Sequence, residues 1–405
     1  MSLFDYQEDA IAHLKEWKVG ALFMEAGTGK TRVALELANS VEDVDYILWV
    51  GPLSTIRKVD GTSVIDEIRK WGGFRNCDNI MYCGVESISQ SDRIFLNILD
   101  SVKSHHNSFI IVDESLKIKN ADAKRTKRLM ELGNCAKYKL ILNGTPMTKN
   151  ILDMWAQITF LSPKILNMTL VQYKNTFCNY TAITKSNGIW SRKEEFITGY
   201  ENLDYLYSLI HNYVYQCDLH LNITQNFHVY NYVIDELAKK DYNEIKETYL
   251  NDETLELKND NIFLEMTQKM QHSYCMVQDK FRAVNEIISV SSESNTIIFC
   301  KYVISQEECK RRYPKALVLS YQKESLGLNL QAYNSTIYFD KIWDLALRIQ
   351  SGRRTFRTGQ NLNCQYYDLT GDVGLEKLID LNIKKKVSMT EYFKKVTRKE
   401  LEEVL

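Results

Sequence analysis

Residues 19–31 read VGALFMEAGTGKT, and RVALELANS follows with the spacing of an amphipathic helix. An apolar strand that enters a helix through glycines gathers several backbone N–H groups around one point. It also aims the positive end of the helix dipole there, and together these make a phosphate cradle. Lys30 would neutralise β- and γ-phosphates, and the Thr31 hydroxyl would hold Mg²⁺. The stretch departs from G-x-x-x-x-G-K-[ST] at Met24, which stands where the first glycine belongs. The reading is a nucleoside triphosphate site on an α/β fold.

The chain around it has 405 residues, more than one core usually supports, so at least two domains are expected. Charged residues make up 25% and hydrophobic residues 44%, the balance of a globular protein. The net charge of −1 provides no global field toward nucleic acid or membrane, so polyanion binding would need local basic patches. The N-terminal MSLFDYQEDA is unlike a signal peptide, no apolar run reaches membrane-spanning length, and no membrane partner is expected. The 9 cysteines include no C-x-x-C pair, which suits thiols in a reducing cytosol better than zinc or disulfides.

Upstream, FDYQEDAIAHLKEW (4–17) has helical spacing, and the Gln7 amide could read adenine or simply face solvent. Downstream, YILWV (46–50) reads as a buried strand running into a loop with Pro52, Ser54 and Thr55, which could hold a nucleic-acid phosphate. FIIVDESLKIKN (109–120) carries the second strong signal, an apolar strand ending in Asp113 and Glu114. The first carboxylate would bind Mg²⁺ and the second would orient and deprotonate a water. KIKNADAKRTKRL then reads as a basic helix start, and residues 139–143 as another buried strand before Gly144-Thr145-Pro146. Strands alternating with helices imply a parallel sheet covered on both faces.

From about 166 to 270 this alternation is lost, and we expect mostly helices, with one strand at 227–233 and a long helix at 235–250. No wedge hairpin is evident there. A helix at 279–289 opens a second α/β set with strands at 296–300, 316–320, 336–340 and 365–369. Between the last two lies WDLALRIQSGRRTFRTGQ, whose three arginines after Gln350 are either a surface patch or anion ligands.

The ordered set EAGTGKT, VGPLST, VDESLKIKN, NGTPMTKN, IIFCKY, SLGLNLQA and QSGRRTFRTGQ resembles the helicase-superfamily-two ATPases, specifically the SWI/SNF-like branch. DESLKIKN against that branch's DEAHRIKN, NILDMWAQITFLSP, and GLNLQA ahead of FDKIWD carry the branch resemblance, which spans nearly the whole chain. It implies two RecA-like lobes (1–165 and 271–405) with ATP between them, separated by a mainly helical insert (166–270), and DNA running across both lobes. It implies ATP and Mg²⁺ at Gln7, Gly27, Thr28, Gly29, Lys30, Thr31, Asp113 and Glu114. Gln350, Arg354 and Arg357 match the last motif, whose arginines reach the γ-phosphate, and Gly327 matches a glycine touching nucleotide and DNA. Lys301 and Asn329 join Pro52, Ser54 and Thr55 as expected DNA contacts.

The departures have consequences. Ser115-Leu116 replaces Ala-His, so the coupling usually assigned to that histidine must be done differently, and Asn143 replaces a threonine. The segment 299–319 is short, so the second lobe is expected to lack a strand-helix unit, and QCDL (216–219) stands where the branch has Arg-Arg-x-Lys. The expectation is a bare, monomeric DNA motor of the kind bacteriophages encode, cytoplasmic in a bacterium or nuclear in a eukaryote. The alternatives are a strand-separating DNA or RNA helicase, and an ATP-gated nucleic-acid-binding switch that does not move.

Overall fold

A computed structural model describes residues 2–56, 63–144, 147, 151–186, 191–219, 221–250, 260–321, 330–357 and 359–385. The chain divides into two compact units, Met1–Leu219 and His220–Leu405.

The first unit is built on β1 (Val19–Met24), β2 (Tyr46–Gly51), β3 (Ile80–Gly84), β4 (Ser108–Asp113) and β5 (Tyr138–Asn143). An antiparallel hairpin follows, β6 (Cys178–Ser186) with β7 (Ser191–Tyr200), and then β8 (Val214–Cys217). The main sheet runs β3-β2-β4-β5-β1-β8 with every pair parallel. Its strands are short apolar runs because both faces are covered. Phe23, Leu48, Val50, Ile110, Val112 and Ile141 enter one core, while Leu22, Ile47, Trp49, Ile111 and Leu142 enter the other. Successive side chains of a strand point to opposite faces, so each run feeds two cores at once.

The second unit is built on β9 (Gln225–Tyr232), β10 (Thr296–Cys300), β11 (Leu317–Ser320), β12 (Ser335–Tyr338) and β13 (Cys364–Gly371). Its sheet, β11-β10-β12-β13-β9, is likewise parallel throughout. The same alternation recurs: Ile298, Ile337, Tyr367 and Leu369 go to one core, and Ile297, Phe299, Tyr338 and Tyr366 to the other.

The stretch 166–270 differs from the expected helical insert. It is shared between the units, because β8 pairs with β1 and β9 pairs with β13. Helices Leu170–Phe177, Leu203–Ile210, Glu236–Leu250 and Asp260–Ser273 are present, but so is the hairpin. Its strands mix aromatic and polar residues without an apolar face, which hides their period. The Asn187-Gly188 pair in the sequence is the hairpin signal that could have found it.

The second unit also buries charge. Lys280 and Asp340 pair at 2.7 Å with their side chains 3% and 1% exposed. Burial pulls the Lys280 amine down, but the Asp340 carboxylate, together with Glu376 and Cys275, more than offsets this and leaves it above its ordinary value. Asp340 also accepts from the Lys301 backbone N–H at 3.0 Å. Lys280→Met should cost about 3–5 kcal/mol, since it strands a buried carboxylate. Denaturant unfolding of the variant checks this; a loss below about 1 kcal/mol would mean that Asp340 finds another partner or takes up a proton.

Candidate nucleotide site

The phosphate loop and the carboxylate pair of the expected nucleotide site lie at the carboxyl edge of the first sheet, where ligands of open parallel sheets bind. β1 ends at Met24, and the chain reaches helix Lys30–Asn39 through Gly27 (φ 94°) and Gly29 (φ 80°). Gly29 caps that helix in a left-handed conformation. A Cβ there would be strained and would meet the Gln7 Nε2 at 2.4 Å, so only glycine fits. The loop thus leads into a helix N-terminus, whose positive dipole end suits a phosphate.

Gln7 is buried beneath this loop rather than exposed. Its Nε2 donates to the Thr28 carbonyl at 2.8 Å, and its Oε1 accepts from the Phe4 N–H at 3.1 Å. The Thr28 hydroxyl donates to the Glu25 carbonyl at 2.7 Å. The Lys30 ammonium donates to the Met24 and Glu25 carbonyls at 2.8 and 3.1 Å. It therefore closes on its own loop, and a phosphate would draw it off those carbonyls. Thr31 is half-buried in the first turn of the helix.

Asp113 ends β4, two strands from β1. Burial and the adjacent Glu114 charge push its carboxyl up to about 7, against the opposing pull of Lys30. A carboxyl destabilised in this way by burial and a like charge suits a divalent cation, which relieves both. The residues present therefore fit Mg²⁺ together with a triphosphate.

Glu114 follows in the left-handed region (φ 52°, ψ 54°), as the cap of a 3₁₀ turn, Ser115–Ile118. A non-glycine residue held there costs roughly 1–3 kcal/mol and persists only where its surroundings over-determine it. On the buried side the determinant is Ser115. Its hydroxyl donates to the Gln157 Oε1 at 2.6 Å, with both residues 0% exposed, and the Gln157 Nε2 donates to the Asp153 carbonyl at 2.7 Å. This ties the carboxylate turn to helix Leu152–Leu161 at the position where the related pattern carries Ala-His. Ser115→Ala should cost about 1–3 kcal/mol, because the buried Gln157 Oε1 loses the hydroxyl that donates to it. Thermal unfolding reads the loss, and a pairing with Gln157→Leu should recover most of it.

The turn expected to hold nucleic acid lies beside Asp113. Leu53–Ile56 form one helical turn, and the Thr55 hydroxyl donates to the Pro52 carbonyl at 2.8 Å. The point where a Gly51 Cβ would sit is 3.5 Å from the Thr55 Oγ1 and 3.6 Å from the Asp113 Cβ. Thr55, on the turn that also carries Ser54 and follows Pro52, is thus brought near Asp113.

The remaining expected residues belong to the second unit. Gln350 lies in helix Leu345–Gly352, and the half-buried Arg353, Arg354 and Arg357 lie on the turns that follow. The sheet holds this turn from below. The Tyr366 hydroxyl is 2.9 Å from both the Gly352 carbonyl, to which it donates, and the Thr355 hydroxyl. Arg348 stacks on Tyr338 and pairs with Asp368 at 2.7 Å. Sequence reasoning missed Arg348 and both tyrosines; a Tyr in each of two neighbouring strands was the available signal. Lys301 turns inward, donating to the Gln271 Oε1 at 2.7 Å, and burial lowers its amine to about 8. Gly327 and Asn329 lie outside the described residues. Among the described residues, no group of three or more His, Cys, Asp or Glu forms a metal cluster, and no helix is long and apolar enough to cross a membrane.

A phosphate cradle after β1, paired carboxylates after β4 and a second parallel-sheet unit define a two-lobed, RecA-like architecture of the P-loop class. The chain belongs to the SNF2-related family: the SNF2-related domain matches residues 49–312, well over half of its length. It is 29% identical over 171 residues to the SWI/SNF chromatin-remodeling complex subunit snf22 of Schizosaccharomyces pombe, covering 36% of this chain and 10% of that protein. It is 22% identical over 353 residues to an uncharacterized ATP-dependent helicase of Mycoplasma genitalium, covering 74% of this chain and 32% of that protein. The chain thus spans a third or less of the length of either relative. The SWI2/SNF2 ATPase core of Sulfolobus solfataricus, solved in complex with double-stranded DNA, aligns with 100% of this chain and 97% of that one at 18% identity and a TM-score of 0.44.

Proposed function

We propose that this protein hydrolyses ATP and uses the cycle to move along duplex DNA. The observation that carries the reading is the assembly of one nucleotide site from the Gly29-capped loop, Lys30 and the Asp113–Glu114 turn at one sheet edge. Backbone N–H groups and Lys30 hold the β- and γ-phosphates, with Gln7 bracing the loop from below. Thr31 and Asp113 would hold Mg²⁺, which neutralises charge on the phosphate oxygens. Glu114 orients the attacking water and takes its proton.

The first unit contributes Lys30, and the transferring phosphoryl group calls for further positive charge. In this reading Arg354 and Arg357 supply that charge from the second unit when the units close on ATP. Pro52, Ser54 and Thr55 grip the DNA backbone from the first unit; Lys301, expected to do so from the second, is instead turned inward onto Gln271. Each cycle of closing and opening then advances the grip by a step. Membership of the SNF2-related family, and relatives named for chromatin remodeling, favour a duplex as the track.

A backbone grip carries no sequence information and weakens with salt. Steady-state hydrolysis should therefore rise with duplex DNA of any sequence and fall steeply as salt is added. A triplex-forming strand should be displaced from duplex in an ATP-dependent manner. The β6–β7 hairpin favours a second reading, strand separation, because such a hairpin can part a fork. Robust release of a labelled strand from a forked duplex, with hydrolysis stimulated only by single-stranded DNA or RNA, would replace the first reading with the second.

A further inference from the structure

We infer that Glu86 links the turn proposed to grip DNA to the carboxylate turn, and that through this link DNA binding accelerates hydrolysis; the inference rests on the motor reading above. Glu86 lies in helix Val85–Gln90, just beyond β3. Its Oε2 accepts from the Leu53 N–H at 2.9 Å, at the start of the turn that carries Ser54 and Thr55. Its Oε1 faces the Lys117 ammonium at 3.9 Å, in the 3₁₀ turn that begins directly after Glu114. One carboxylate therefore touches both motifs, which are far apart in sequence.

The contacts suit a coupling role better than a structural one. The Lys117 and Glu86 side chains are 41% and 35% exposed, and an ion pair so wetted holds little folding energy. What it can bias is the Glu114 backbone, held at φ 52° by its surroundings. Ser115–Gln157 anchors that turn from the buried side, and Glu86–Lys117 reaches it from the exposed side. When the Leu53–Ile56 turn shifts onto a phosphate, its bond to Glu86 moves with it. The pull on Lys117 re-aims Glu114 at the attacking water.

Hydrolysis is measured for wild type, Glu86→Ala, Lys117→Ala and the double variant, without nucleic acid and with saturating duplex DNA. DNA affinity is measured in parallel by fluorescence anisotropy. Unstimulated rates should stay within about two-fold of wild type, while stimulation falls by at least about five-fold, the lower range of measured inter-site coupling. DNA affinity should be unchanged, and the double variant should be no worse than Glu86→Ala, as expected for one shared interaction. Glu86→Gln keeps an acceptor for Leu53 but loses the charge facing Lys117, so it should match Lys117→Ala. Unchanged stimulation in Glu86→Ala, or DNA affinity that falls in step with stimulation, overturns the link.

Amide exchange of residues 53–56 gives a readout that needs no DNA. Adding magnesium and a non-hydrolysable ATP analogue should change it in wild type and not in Glu86→Ala. The same change in both proteins, or in neither, also overturns the link. Wild-type hydrolysis that no nucleic acid stimulates would instead remove the motor reading, and the exchange result would still decide Glu86.

Discussion

Glu114→Gln should bind ATP with near wild-type affinity and turn it over at least about 10²-fold more slowly, the usual contribution of a positioned general base. The substitution isolates chemistry from architecture. Glutamine is nearly the same size and meets the same backbone requirement at φ 52°. The contacts that hold the turn, Ser115 with Gln157 and the Glu114 N–H donating to the Asp113 carboxylate at 2.9 Å, do not involve the Glu114 side chain. Only the ability to accept the water's proton is removed. Equilibrium binding of a fluorescent ATP analogue and single-turnover hydrolysis measure the two halves separately. Wild-type turnover would take the base away from Glu114, and lost binding would show that the side chain supports the phosphate loop.

Arg357→Ala should leave ATP binding largely intact while lowering kcat by roughly 10³-fold, the scale of an arginine finger in other NTPases. An arginine whose charge acts only on the transferring phosphoryl group contributes to the transition state and not to the ground state. The turn that carries it is well supported without it, because the Tyr366 hydroxyl meets Gly352 and Thr355, and Arg348 is clamped on Asp368. Unfolding should therefore be little changed in the variant. A fall in kcat of only two- or three-fold, or an equal loss of nucleotide affinity, would return these arginines to the surface-patch reading. Arg348→Ala makes the contrasting case, since its loss leaves Asp368 and Tyr338 without their partner and should destabilise the second unit.

Much of the molecule was legible before any tertiary contact was known. The apolar runs at 46–50 and 296–300 became β2 and β10 because a strand buried on both faces is apolar nearly throughout. The phosphate loop and the Asp113–Glu114 pair were readable because their chemistry depends on adjacent residues, and adjacency is a property of the chain itself. Glycine at 27 and 29 likewise announces a positive φ locally.

Other features were decided only by the fold. Gln7 could not be placed from its neighbours in sequence, because its role depends on lying 2.8 Å from the Thr28 carbonyl across a tertiary contact. The left-handed Glu114, the buried Ser115–Gln157 bond and the inward turn of Lys301 are imposed by packing from elements far away in the chain. The fate of residues 166–270 was decided in the same way. Local pattern marks them as neither lobe, and the pairing of β8 with β1 and of β9 with β13 assigns one part to each unit. Local sequence sets which residues can make a strand, a turn or a cradle, because those choices depend on φ, ψ and side-chain period. Which strands become neighbours, and which polar groups meet in their core, is settled only when distant apolar faces are buried together.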